Sequence, residues 1–334
     1  MTWRTESAEV GVLSYLIETR ASVRKLRRIS MVFGLLGGWL LLSSVSAAPL
    51  YKYRDPEGNW IYTDQKPDSA TPVETLAVKS ESKAPRISVD KIGSAEEWIL
   101  RATNECLCVV EYEVRVLDAH NVNVPNGGVY HAILQPQSQQ QLIQLSQMGV
   151  DSPLVHYTWK AILGDPGARH RPTEPYRTPF AIGATYRISQ AYPTRFTHTA
   201  PDSQYAIDFA LPDETPIYAA REGTVINVRH DYYRGAAAPV LMDQANMVEI
   251  LHDDGTIGLY AHLHWESVRV TPGQHVHRGE YIADSGNTGF TTGAHLHFAV
   301  IRNAGLQAVS VPIQFAGPGG TAISPQQNMM ITAY

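Results

Sequence analysis

The sequence predicts an all-β chain. Three observations carry that reading: short alternating runs rich in β-branched and aromatic residues, glycine at most of the breaks between them, and few stretches with helical periodicity. Six such runs crowd the C-terminal part: Thr224-Val-Ile-Asn-Val-Arg, Asn246-Met-Val-Glu-Ile-Leu, Thr256-Ile-Gly-Leu-Tyr-Ala, Ser267-Val-Arg-Val, Tyr281-Ile-Ala and His295-Leu-His-Phe-Ala-Val-Ile. Glycines from Gly223 to Gly293 punctuate them, which argues for a barrel-like or two-sheet domain. At 334 residues the chain exceeds one ordinary compact unit, so two or three domains are expected. A hydrophobic fraction of 44% with 18% charged residues provides cores of normal size and excludes a disordered or collagenous chain. The formal charge is −5, yet residues 1–47 hold six basic and three acidic residues (+3), leaving 21 basic and 29 acidic (−8) elsewhere. A body that acidic is a poor binder of nucleic acid through the phosphate backbone.

Taken in order, residues 1–47 read as a signal peptide. Arg24, Lys25, Arg27 and Arg28 form a basic stretch, Met31 to Leu42 an apolar core, and Val45-Ser46-Ala47 a small-residue cleavage site. The uncharged run up to Lys52 is also long enough for an uncleaved anchor. Gly34, Gly37, Gly38 and Ser43-Ser44 weaken that alternative and favour export with cleavage, leaving no membrane span; the periplasm is the expected destination and secretion the second. No Cys lies at the cleavage site to carry a lipid. The stretch before Arg24 is long for such a leader and fits a translation start nearer Met31.

Residues 48–67 alternate around Asp55-Pro-Glu-Gly-Asn59 and predict a β-hairpin. It resembles a small module of unknown function found at the start of exported bacterial proteins. Residues 68–95, rich in Ser, Pro, Lys and Glu, read as a linker. Residues 96–165 carry runs such as Cys108-Val-Val-Glu-Tyr-Glu-Val-Arg-Val-Leu and predict a small antiparallel β-sandwich. Cys106 and Cys108, the only two cysteines, read as small buried residues or a tight disulfide, and His120, His131 and His156 are too scattered for chemistry. A Pro-rich connector, 166–179, leads into the last domain, 180–334.

Nine of the 13 His lie between 198 and 297. A catalytic zinc needs three His or carboxylate ligands and an open fourth position. A His-x-His on a strand offers two imidazoles on one side, about 7 Å apart along the chain. Three pairs occur, His262/His264, His275/His277 and His295/His297, while the helical His-Glu-x-x-His motif is absent. The pairs differ in context. Gly286-Asn-Thr-Gly-Phe-Thr-Thr-Gly-Ala-His295-Leu-His297-Phe is a Gly/Thr-rich loop running into a strand, Tyr260-Ala-His262-Leu brings a further His on a second strand, and His198 precedes Tyr205-Ala-Ile-Asp208-Phe-Ala.

Over residues 183–300 these motifs resemble the LytM/lysostaphin-type zinc metallopeptidases, which cut peptide cross-bridges of peptidoglycan. The resemblance implies a LytM-like antiparallel β domain after the sandwich and hairpin. It also implies one Zn²⁺ per chain on His198, Asp208 and His297, with His262 and His295 beside the attacking water. Peptidoglycan peptide stems would be the substrate; no protein partner is indicated. Val270-Thr-Pro-Gly-Gln-His275-Val-His277-Arg-Gly matches a family hairpin in which both His fall at variable, exposed positions. His264 takes the same bland reading. One departure concerns the carboxylate. The simplest family spacing puts Asp four after the first His, where this chain has Asp202, whereas Asp208 has the strand context and is preferred. Tyr192, six before His198, reads either as an oxyanion donor or as a packed aromatic. The alternative function is a metal-free LytM-like module that binds and regulates other wall hydrolases; such modules lose ligands, and this chain keeps all five residues.

Overall fold

The computed structural model describes residues 14–17, 50–54, 60–63, 66, 72–76, 84–94, 96–194 and 196–334. Residues 1–47, read as a signal peptide, lie outside them apart from Ser14–Ile17, and so do the Asp55–Asn59 turn and, within 68–95, residues 68–71, 77–83 and 95. Among the described residues the regular structure is strand, broken by three short 3₁₀ turns, and no helix is long and apolar enough to cross a membrane. The chain forms two compact units, Thr19–Lys79 and Ser80–Tyr334 with Met1–Glu18.

In the smaller unit Leu50–Arg54 pairs antiparallel with Trp60–Thr63, placing Tyr53 opposite Ile61. Glu74–Leu76, inside the stretch read as linker, adds a third strand on the other side of Leu50–Arg54.

The larger unit opens with two antiparallel sheets. One has the order β1 (Ile87–Gly93), β2 (Glu97–Asn104), β6 (Ser138–Gln147), β4 (Val122–Asn123); the other runs β7 (Leu154–Leu163), β3 (Val110–His120), β5 (Val129–Leu134), with Ser14–Ile17 on the free side of β7. Strand β1 also falls within the stretch read as linker. Its inward residues, Ile87 and Val89, are only two apolar positions among Ser, Lys and Asp, too short a pattern to stand out. Cys106 and Cys108 form a buried disulfide in the turn between β2 and β3.

The rest of the larger unit is built on a nine-stranded antiparallel sheet. Its strands are β8 (Thr185–Gln190), β9 (Ile207–Ala210), β10 (Gly223–Arg229), β11 (Met247–Leu251), β12 (Ile257–Ala261), β13 (His275–Val276), β14 (Leu296–Asn303), β15 (Ala308–Ser310) and β16 (Met330–Thr332). The spatial order is β13-β10-β11-β12-β14-β9-β8-β16, with β15 also on β14. Both faces are buried, which is why these strands read as nearly unbroken apolar runs. Val248, Ile250, Tyr260, Phe298 and Val300 pack with Phe180, Phe209 and Phe315 on one face. On the other, Met247, Leu259, Ala261, Ala299 and Ile301 join Trp98, Leu100, Tyr112 and Trp159 of the sandwich in a single apolar core. Removing one such ring costs about 3–5 kcal/mol, so this sheet is the rigid element of the unit.

Side chains alternate along β14, so His295 and His297 share the face of Ala299 and Ile301. The histidines therefore sit just beyond the part of that face which the sandwich covers.

Candidate metal centre

Asp208 on β9 lies directly opposite His297 on β14, and directly opposed residues project to the same side of a sheet. Strand pairing alone thus brings together two residues 89 positions apart. The third comes from a loop. Gln190, the end of β8 and the cross-strand neighbour of Asp208, donates from Nε2 to Thr197 Oγ1 at 3.0 Å and accepts from the Thr197 N–H at 3.3 Å. That clamp delivers the adjacent His198, 3% exposed, onto Asp208.

His198 Nε2 stands 3.1 Å from Asp208 Oδ2, and His297 Nδ1 stands 3.0 Å from Asp208 Oδ1. Ligand atoms of the three residues all lie within 4.8 Å of one another. A tetrahedral site with bonds of about 2.0–2.1 Å has edges of about 3.3 Å, so the two His-to-Asp208 separations are close to such an edge, and the whole trio converges within 4.8 Å. Two imidazoles with one carboxylate, and no thiolate, is a donor set suited to zinc. Burial alone would raise the Asp208 carboxyl, but hydrogen bonds from His198 and His297 outweigh it and hold the group well below its ordinary value. His297 is pushed down by burial against the opposing pull of Asp208, which keeps its ring neutral and able to coordinate.

His262 and His295 flank this trio with ring centroids 4.5 Å apart. His262 lies just past the end of β12, at φ 62, in the left-handed region that costs a non-glycine residue of order 1–3 kcal/mol. Its Nδ1–H donates to Thr288 O at 2.7 Å, leaving Nε2 as the free acceptor. His295 is arranged in the same way: Nδ1–H donates to Gly293 O at 2.8 Å, and Nε2 lies 4.0 Å from Asp208 Oδ1. Burial, together with the neighbouring His295 and His297, pushes His262 down to about 3.

The Gly/Thr-rich loop before β14 makes these contacts possible. A Cβ on Gly286 would stand 2.5 Å from the His264 backbone nitrogen, and Gly289 adopts φ +84. The five residues open into a cavity of about 550 Å³, also lined by Arg187, Ser189, Phe196, Phe290, Thr291 and Gln327.

The other candidates are placed elsewhere. Asp202 belongs to the turn before β9 and contributes no atom to the converging trio. His275 and His277 are exposed, ring against ring at 5.5 Å. His264 is buried rather than exposed, its Nδ1 3.1 Å from Asp213 Oδ1. Tyr192 packs tilted against Tyr205, ring centroids 4.7 Å apart, and lines a second cavity. The Gln190 clamp and the carbonyls of Thr288 and Gly293 were not legible beforehand, since an amide and two backbone oxygens carry no sequence signature.

Residues 202–310 match Peptidase family M23. The chain carries an M23 peptidase domain. Residues 37–89 match a domain of unknown function, DUF4124. The M23 domain is similar to that of peptidoglycan DD-endopeptidase ShyA of Vibrio cholerae serotype O1, 33% identical over 143 residues, which is 41% of this chain and 30% of that protein. ShyB of the same organism is 36% identical over 110 residues, covering 33% of this chain and 23% of the relative. Lysostaphin of Staphylococcus simulans is 26% identical over 130 residues, 37% of this chain and 24% of its own length. The matches therefore span less than a third of each relative. Among solved structures, lysostaphin aligns at a TM-score of 0.29 and 24% identity, over 40% of this chain and 48% of that chain.

Proposed function

We propose that the chain is a zinc-dependent endopeptidase that hydrolyses peptide cross-bridges of bacterial peptidoglycan outside the cytoplasm, in the periplasm after its leader is removed. The observation that carries this reading is the convergence of His198, Asp208 and His297 within 4.8 Å at an M23 match, beside two histidines that line the same cavity with Nδ1 held on a backbone carbonyl. One zinc per chain, held by that trio, supplies a water acidified toward neutrality and a Lewis acid for the scissile carbonyl. His262 and His295 do the remaining work. Their Nδ1–H bonds to carbonyls fix both rings with Nε2 toward the reacting atoms, so each is poised to accept a proton or, once protonated, to donate one. Burial lowers the pKa of His262, so its imidazolium form readily gives up a proton, which suits donation to the leaving amine. Retention of all five residues favours this reading over a metal-free regulatory module.

The test is digestion of purified, cross-linked peptidoglycan by the zinc-loaded protein, with mass analysis of the released muropeptides. The expected result is conversion of cross-linked dimers to monomers, abolished in Asp208→Ala. Intact dimers after exhaustive digestion would remove the peptidase reading.

A further inference from the structure

Among the described residues, the lining of the candidate metal cavity is uncharged apart from two side chains. One is Asp208, and the other is Arg187. Strand register fixes its place: Arg187 on β8 lies opposite Ala210 on β9, two residues along from Asp208 and on the same face. Two residues of strand span about 7 Å, so Arg187 lines the cavity about one residue's reach from the Asp208 position.

The fork is held in position but not neutralised. Arg187 Nη1 donates to Asn328 Oδ1 at 3.2 Å. Asn328 is itself fixed at φ 64, with its N–H on Ile188 O at 2.8 Å and the Ile188 N–H on Met329 O at 2.8 Å. A guanidinium has five donors, so one neutral acceptor leaves most of them available. Arg221 provides the contrast, being saturated between Asp253 and Asp254. Among the described residues Arg187 makes no such ion pair. An arginine fork without a carboxylate, set at the rim of a hydrolytic cavity, is suited to bidentate capture of a carboxylate from the ligand.

Building on the peptidase reading above, we propose that Arg187 selects substrate by charge. It receives a free carboxylate on the residue that carries the scissile nitrogen, and so favours cross-bridges with such a carboxylate over neutral, glycine-type bridges. Because Arg187 is exposed, the preference is moderate and salt-sensitive. One charge-assisted hydrogen bond in that setting corresponds to about a 10-fold preference.

The experiment uses the full zinc-loaded chain and two synthetic peptides. They are identical except that the residue bearing the scissile nitrogen ends in a free α-carboxylate in one and a carboxamide in the other. Wild type should show a kcat/KM about 10-fold higher for the acid, shrinking as salt is raised. In Arg187→Gln the acid should fall to the level of the amide, mainly through KM, and Arg187→Lys should recover part of the loss; zinc content checks that each variant is folded. Persistence of the acid preference in Arg187→Gln overturns the proposal, as does wild-type indifference between the peptides. If neither peptide is cleaved, the peptidase reading fails separately. Charge selection is then read from equilibrium binding of the same pair, where a tighter acid in wild type alone supports it and equal affinities overturn it.

Discussion

His295-Leu-His297 and His275-Val-His277 have the same spacing, yet only the first lies in the candidate site. The first lies on a central strand, between β12 and β9, where pairing places Asp208 opposite His297 and the end of β12 delivers His262. The second lies on a two-residue strand at the edge of the sheet, exposed, with only Val276 between the pair buried. What distinguishes the candidate metal centre is therefore not two imidazoles on one side of a strand but a carboxylate and a third imidazole brought from elsewhere. Burial matters as well, because it removes competing water and lowers the pKa of His297 and His262.

The comparison breaks most completely at the carboxylate. Asp208→Ala should lose both zinc and activity, while Asp202→Ala leaves both near wild type; metal analysis and muropeptide release on the two variants check this. The reverse outcome would mean that the short His-to-Asp spacing rules and that strand context misled.

Next in size is the division between ligands and flanking histidines. His262→Ala and His295→Ala should keep about one zinc each and lose turnover on the order of 10²–10⁴-fold, the range for a lost acid–base or oxyanion group. Wild-type turnover in both variants would make these rings structural.

The smallest effect concerns a histidine that is buried but outside the cluster. His252 is pushed down to about 4 by burial, its Nδ1–H held on Glu222 O at 2.7 Å. Its folded-state value lies below the ordinary 6.5, so the unfolded chain takes up the proton first. Stability is full above about pH 6.5 and falls as pH drops toward 4, by about 3 kcal/mol from this one group. Chemical denaturation at pH 7 and pH 4.5 should show a smaller loss in His252→Asn. An unchanged loss would assign the acid sensitivity to other groups.

How much of this was legible follows from which contacts are local. The His295/His297 pair announces itself through the Gly/Thr-rich loop ahead of it, and Asp208 through Tyr205-Ala-Ile-Asp208-Phe, because loop chemistry and strand alternation are both written in neighbouring residues. The all-β architecture was legible for the same reason. Long-range features were not. The core shared by the sandwich and the peptidase sheet depends on which faces meet, and Met247 or Leu259 reads the same whether it packs on a helix, a sheet or a partner. The Gln190 clamp on Thr197 needs β8 to end beside β9, a fact of register. His264 read as incidental because nothing near it in sequence reveals Asp213, 51 residues away.

The central claim is that convergence, not spacing, makes the metal site, and zinc stoichiometry after dialysis tests it most directly. The chain should retain about one zinc, His297→Ala none, and His277→Ala one, although both substitutions remove the second His of a His-x-His pair. Full occupancy in the His297→Ala protein, or loss of the metal in His277→Ala, would contradict the account.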